Sequence, residues 1–433
     1  MIEDTSVPEE TNLISIRKII DRISEKYDKI WVKRKRSINS KFLISFIFQM
    51  ILNKNKGYGI SLLELWEVYQ TKNIKTPKEG IFAPSSVCEA RQKLTEQIFV
   101  DLNNCLIVQF GNKKHKIFAV DGSRLNLPKE LEMVGYKKCN KDAHYPQGLM
   151  SCLYNIDTQV VHDFCLTKKL NERDCAVDHL KSLGIGDIVI FDRGYFSYLF
   201  LHQCREKGVY PIFRVSVNLQ NKEIQNFVLS NETDSIVEYT PASTVKYQIK
   251  REGYNIDCKP ISLRLIKHMI DGRVYLYATT LIGLEYDKNL FAKLYHKRWK
   301  IEELYKISKC LIDVEAFHSK SERCVKQEVY AHFVLINLAR FFEDATNIKY
   351  GNNKDNIKFN FKNCLDIIGK NIQTIIFKSK VFFSKTIKII TKSIAKIKQK
   401  IRPMRKYQRI SHKPSNRWVI TRSPHWTKHA NPL

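Results

Sequence analysis

Two short runs without a polar residue, IFAV at residues 117–120 and IVIF at residues 188–191, constrain this chain more than any other feature. A strand that is apolar on both faces has to be covered on both faces, which is the situation of strands inside an α/β sheet. The first run ends at Asp121-Gly122-Ser123 and the second at Asp192-Arg193-Gly194-Tyr195, followed by a helical pattern through Leu199 and Cys204. Residues 150–154 and 160–166 read as further strands. The expected class is therefore α/β.

Both flanks read as helix. From a cap at Asn12, Leu13, Ile16, Ile20, Ile23, Tyr27 and Ile30 follow helical steps up to a basic run, Lys33 to Arg36. More helices are predicted through Phe42, Phe46 and Met50, near residues 61–69, and at 85–94. Residues 1–112 form a helical region that suits an interaction or dimerisation module as well as DNA binding. Between Phe213 and Ile282 the chain is rich in Val, Ile, Thr and Tyr with turn residues between, so a strand-rich insertion is expected at about 210–285. Helix returns near Asp287, and residues 314–342 read as one helix. A core at 113–345 and a basic helical region at 346–433 complete the division. In that last region Phe383, Ile387, Ile390, Ile394, Ile397 and Ile401 make an apolar stripe opposite Lys385, Lys388, Lys392 and Lys396.

Charge narrows the function. The chain carries 73 Lys and Arg against 44 Asp and Glu, a net +29 with a pI near 9.6, which in a folded protein points to a polyanion. From residue 367 to 433 there is no acidic residue and there are 17 Lys or Arg, a composition that favours phosphate contact. The acidic start lacks a signal-peptide pattern, and the apolar runs are too short to span a bilayer. Eleven cysteines with no CxxC pair and no Cys/His cluster argue against a disulfide framework and a structural zinc site. A cytoplasmic protein associated with nucleic acid, and with no membrane, is expected.

The chemistry is concentrated in FAKLYHKRWKIEELYKISKCL, residues 291–311. Leu294, Ile301, Leu304, Ile307 and Leu311 fall on one apolar face of a single predicted helix, while Tyr295, Arg298, Glu302 and Lys309 fall within a strip roughly 60° wide on the other. Asp121 and Asp192, each at the end of a buried strand, provide two more carboxylates on rigid supports. Three convergent carboxylates in a basic protein suit Mg²⁺, which takes oxygen ligands and completes its shell with water and substrate phosphate. Two such ions stabilise both the attacking and the leaving oxygen of a displacement at phosphorus.

Y-x2-R-x3-E-x6-K, filled by Tyr295, Arg298, Glu302 and Lys309, resembles the signature of the insertion-sequence-four family of bacterial DDE transposases. AVDGS around Asp121, IFDRGYFS around Asp192, residues 316–340 and RKYQRISHKP near Arg405 are similar to other stretches of that family. The resemblance implies a ribonuclease H-like mixed-sheet core interrupted by a strand-rich insertion. It makes Asp121, Asp192 and Glu302 a catalytic, metal-binding triad for Mg²⁺, with two ions and Mn²⁺ as a substitute. It also makes Tyr295, Arg298 and Lys309 contacts to the transposon end. Arg193 and Tyr195 either contact DNA or pack the strand end, and Trp299 either joins them or rests partly covered against the insertion. Some relatives stack an insertion tryptophan on a flipped base while a DNA hairpin forms. None of the five tryptophans here (Trp31, Trp66, Trp299, Trp418, Trp426) lies in the insertion, which leaves Tyr275 or Tyr277 for stacking. The implied function is cut-and-paste transposition by a homodimer holding the inverted-repeat ends and the target duplex. An endonuclease or resolvase with the same core, or an inactive DNA-binding derivative, are the alternatives.

Overall fold

The computed structural model describes residues 8–32, 37–53, 56–110, 117–141, 143–270, 272–283, 286–351, 357–378 and 380–400. The Lys33–Arg36 run, the stretch around Arg405, Trp418 and Trp426 lie outside the described residues. Five helices open the chain: α1 (Pro8–Trp31), α2 (Ser40–Leu52), α3 (Tyr58–Thr71), α4 (Pro84–Lys93) and α5 (Gln97–Phe110). Helix α1 starts at Pro8, four residues before the expected cap, because proline's fixed φ suits a first helical turn and costs no internal hydrogen bond there. The Asn39 side chain caps α2 by accepting from the Phe42 amide.

The sheet follows. Strands β1 (Ile117–Asn126), β2 (Gln147–Asn155) and β3 (Val160–Thr167) run into α6 (Glu172–His179), β4 (Ile188–Phe191), α7 (Tyr198–Lys207) and β5 (Tyr210–Val215). Next come α8 (Lys222–Leu229), β6 (Asp234–Tyr239), α9 (Ser243–Arg251), β7 (Ile261–Ile270) and β8 (Arg273–Thr279). All eight strands form one mixed sheet of order β3-β2-β1-β4-β5-β8-β7-β6. Strand β1 is parallel to β4 and β4 to β5, while β2 and β3 run antiparallel, which is the ribonuclease H-like arrangement. The insertion strands extend this sheet through an antiparallel β5–β8 pair. The range read as strand-rich also contains α8 and α9, each anchored by a few apolar side chains such as Ile224, Phe227 and Ile249.

Alternate residues of the apolar strands enter opposite layers. Phe118, Val120, Val189 and Phe191 pack with α6, α7 and the insertion helices, whereas Ala119 and Ile190 face the larger helical layer. That layer is built from α10 (Lys288–Lys297), α11 (Trp299–Lys306), α12 (Glu322–Tyr350), α13 (Phe361–Phe377) and α14 (Lys380–Lys396) together with the N-terminal helices. Leu13, Phe48, Leu335, Ile372 and Ile390 belong to a single apolar cluster, so the two helical flanks close over the same side of the sheet. Two boundaries differ from the sequence reading. Helix α12 spans Glu322–Tyr350, not 314–342, because the amides of residues 314, 316, 317 and 318 are spent on Ser308, Asp313, Glu315 and the Glu328 carboxylate. Helix α14 ends at Lys396, and Ile397 leads into β10 (Lys398–Lys400), which pairs with β9 (Ile357–Phe359). The Lys385, Lys388, Lys392 and Lys396 side chains are exposed opposite the buried Phe383, Ile387, Ile390 and Ile394. Among the described residues no helix is long and apolar enough to cross a membrane.

Candidate active site

The register between β1 and β4 stops at Ala119↔Ile190, while β1 goes on pairing with β2 as far as Asn126↔Gln147. Asp121 therefore lies in mid-strand, at the point where the sheet parts, and does not end its strand as the sequence suggested. The apolar run stops because β1 loses its neighbour on one edge. Gly122 is also not a turn residue. A Cβ at this position would come within 2.9 Å of both Glu172 Cγ and Leu149 Cδ1, so the glycine lets the N-terminus of α6 close down on the strand. Asp192 sits just beyond β4, on the other side of the split, at the start of a 3₁₀ turn at Arg193–Tyr195.

The expected single helix over residues 291–311 is three segments. A tight turn at Arg298, closed by Arg298 N–H to the Tyr295 carbonyl and Ile301 N–H to the Arg298 carbonyl, separates α10 from α11. A π turn at Ile307–Leu311 then widens the helix beneath Lys309, a distortion common at functional sites. Arg298 is 6% exposed and sits among the acids. One guanidinium nitrogen donates to Glu302 Oε1 at 2.8 Å and the other lies 3.4 Å from Asp121 Oδ2. The Tyr295 hydroxyl donates to Asp192 Oδ1 at 2.8 Å. Lys309 reaches the Arg124 carbonyl at 2.6 Å. Arg193 is exposed, Trp299 is 46% exposed, and Tyr195 is buried at the strand end with its ring against Phe191. Tyr277 is 2% exposed, with its ring tilted at 46° against the Tyr295 ring, so it has no free face for a base, and the Arg214 guanidinium covers Tyr275 at 4.7 Å.

Asp121 and Glu302 are thus gathered on one guanidinium, with Asp192 tied through Tyr295 to the adjoining helix α10. Among the described residues no group of three or more His, Cys, Asp or Glu side chains is close enough to share a metal ion. The donor chemistry fits a hard dication, since all three groups are carboxylates. The arginine now supplies the opposing charge, and its buried Nε has no hydrogen-bond partner, so this seat does not fully satisfy it.

Burial pushes the Asp121 carboxyl up to about 6, although the Arg298 charge and the Gly122 amide oppose the rise; Glu172 and Glu302 add to it. Burial also pushes Asp192 up, but the Arg193 amide, the Tyr295 hydroxyl and the charges of Arg298 and Arg214 outweigh it and hold that carboxyl below the usual range. A raised folded-state value means that ionising Asp121 opposes folding. The penalty is absent below about pH 4 and reaches about 3 kcal/mol once the pH has passed 6. In metal-free buffer, Asp121→Asn is expected to match the wild type at pH 4 and to exceed it in stability at pH 8. Thermal unfolding of both proteins in chelator across this range checks it, and equal curves at pH 8 would count against the buried charge.

Sequence reading missed Glu172, which approaches Asp121 from α6, and Tyr305, whose hydroxyl donates to the Asp121 carbonyl at 2.5 Å. The capping pattern Asn171-Glu172 was the available signal for the first, since Asn171 accepts from the Arg173 amide at the helix start.

Residues 112–338, just over half of the chain, match the family described as Transposase DDE domain. The chain belongs to the DDE transposase domain family. The matched span opens just before β1 and closes inside α12, so Asp121, Asp192 and Glu302 all lie in its DDE domain. A transposase for insertion sequence element IS231F from Bacillus thuringiensis subsp. israelensis is 23% identical over 295 residues, 57% of this chain and 59% of that protein. The chain therefore aligns with about three fifths of that relative's length. A cryo-EM structure of a piggyBac transposase synaptic complex with hairpin DNA superposes with a TM-score of 0.48 at 10% identity, over 90% of this chain and 87% of that one.

Proposed function

We propose that this DDE-domain protein is a cut-and-paste DNA transposase. In this reading it cleaves the terminal inverted repeats of an insertion sequence and joins the freed ends to target DNA, with Tyr295, Arg298, Glu302 and Lys309 as the signature of the insertion-sequence-four family. The observation that carries the reading is the placement of Asp121 and Glu302 on Arg298, with Asp192 held by Tyr295, where the sheet parts inside the matched domain. Asp121, Asp192 and Glu302 would hold Mg²⁺, two ions with Mn²⁺ as a substitute, which supplies Lewis-acid activation of the nucleophile and neutralises charge at the scissile phosphate.

The chain's own residues do the rest. Tyr295 orients the Asp192 carboxylate. Arg298 and Lys309, now bonded to protein oxygens, become phosphate donors when DNA offers stronger acceptors. Arg193, exposed next to Asp192, and Trp299, exposed next to Arg298, are further candidates for DNA contact. The exposed lysines of α14 give the polyanion a second contact surface, and the ends are held by two copies of the chain. A gel assay tests this: with DNA carrying both terminal repeats, the protein should release the element and join it to a target plasmid in Mg²⁺ but not in chelator. Cleavage without joined product would leave an endonuclease, and no cleavage with metal present would sink the enzymatic reading.

A further inference from the structure

Asp121 is braced from behind by side chains that neither metal nor DNA would touch. Its main-chain carbonyl accepts from Tyr305 Oη at 2.5 Å and from Ser151 Oγ at 3.3 Å. Ser151 Oγ lies 3.1 Å from His179 Nε2, and His179 Nδ1 lies 2.9 Å from Asp163 Oδ2. Asp163 is fixed in turn, accepting from the Ser182 hydroxyl at 3.1 Å through Oδ2 and from the Phe164 amide at 2.8 Å through Oδ1. The chain runs from β3 through α6 and β2 to β1.

A serine, histidine and aspartate in this order have the connectivity of an acyl-transfer triad. They do not serve one here, because Ser151 is 0% and His179 1% exposed, so no substrate carbonyl reaches the hydroxyl. The arrangement instead ties the Asp121 carbonyl to β3: the ring faces Asp163 with Nδ1 and Ser151 with Nε2, and the Ser151 hydroxyl donates to the carbonyl. A buried, fully satisfied chain of this kind is stiffer than its separate bonds.

We propose that Asp163, His179 and Ser151 are positioning residues that fix the main chain of Asp121 where β1 parts from β4, and with it the direction of the carboxylate. Buttressing matters at this point because the β1–β4 register has already ended at Ala119↔Ile190. The kinetic consequence rests on the transposase reading above; the hydrogen-bond consequence does not.

The test uses the full chain in two arms. In the first, hydrogen exchange read by mass spectrometry over residues 117–126, and the imidazole N–H signals of histidine-labelled protein, are compared for wild type, Ser151→Ala and Asp163→Asn. Faster exchange around Asp121 in both variants, with the downfield His179 Nδ1–H signal moved in Asp163→Asn, is expected. In the second arm, single-turnover cleavage is expected to fall about tenfold in each variant, the scale of losing a partner that orients a ligand, with DNA affinity unchanged. The double variant should fall no further than the worse single, since one chain is broken in either case. Unchanged exchange, wild-type cleavage in Ser151→Ala, losses that multiply, or a loss that tracks DNA affinity would each overturn the proposal. A wild-type protein that does not cleave removes the transposase reading and leaves the first arm to decide this one.

Discussion

Asp192→Asn and Glu302→Gln are each expected to lower metal-dependent cleavage by about 10³-fold or more while leaving terminal-repeat binding within about twofold. In the proposed reading several kcal/mol of charge stabilisation depend on a dication that these carboxylates would hold, and each 1.36 kcal/mol is about tenfold in rate. The amides keep the shape of the side chains, so the fold survives. In Asp192→Asn the Tyr295 hydroxyl still finds a carbonyl oxygen to donate to, in place of the present 2.8 Å bond to Oδ1. In Glu302→Gln the Arg298 guanidinium loses a charged acceptor at 2.8 Å and keeps Asp121. Single-turnover gel assays beside fluorescence anisotropy on the same DNA measure both quantities. Cleavage within tenfold of wild type in either variant, or affinity falling in step with rate, refutes the assignment.

The sequence made the core strands legible because they rest on a short-range regularity: an unbroken apolar run needs cover on two faces. What it hid depends on contacts made across long distances. Asp121 looked terminal because the apolar run stops there, yet β2 carries the strand five residues further. The turn at Arg298 and the π turn at residues 307–311 interrupt a pattern whose periodicity looks continuous. Helix α6 has only eight residues, ERDCAVDH, too few and too polar for an apolar period to emerge. Hence Glu172, beside Asp121, and His179, linked to the Asp121 carbonyl through Ser151, escaped notice. Tyr277 looked free to stack because nothing in a strand sequence tells which face a helix will cover.

The same dependence on distant partners makes Arg91 the most sensitive point of the helical layer. It is 0% exposed in the last turn of α4, and its partner Glu328 in α12 is 1% exposed. The guanidinium donates to Glu328 Oε1 at 3.1 Å, Gln327 Oε1 at 3.1 Å, the Cys324 carbonyl at 3.0 Å and the Tyr58 hydroxyl. The His318 amide completes the Glu328 carboxylate at 2.9 Å. Replacing Arg91 with methionine keeps much of the volume but leaves the buried Glu328 carboxylate only the His318 amide and ring and strands several acceptors, which is expected to cost about 3–5 kcal/mol. The double variant Arg91→Met with Glu328→Met should recover part of that loss, because a fully buried ion pair is weakly stabilising against apolar groups of similar size whereas a lone buried charge is strongly destabilising. Denaturant unfolding of wild type, both singles and the double separates the terms. A single variant within about 1 kcal/mol of wild type, or a double less stable than Arg91→Met, would show that the N-terminal helices are held to α12 by apolar packing and not through this network.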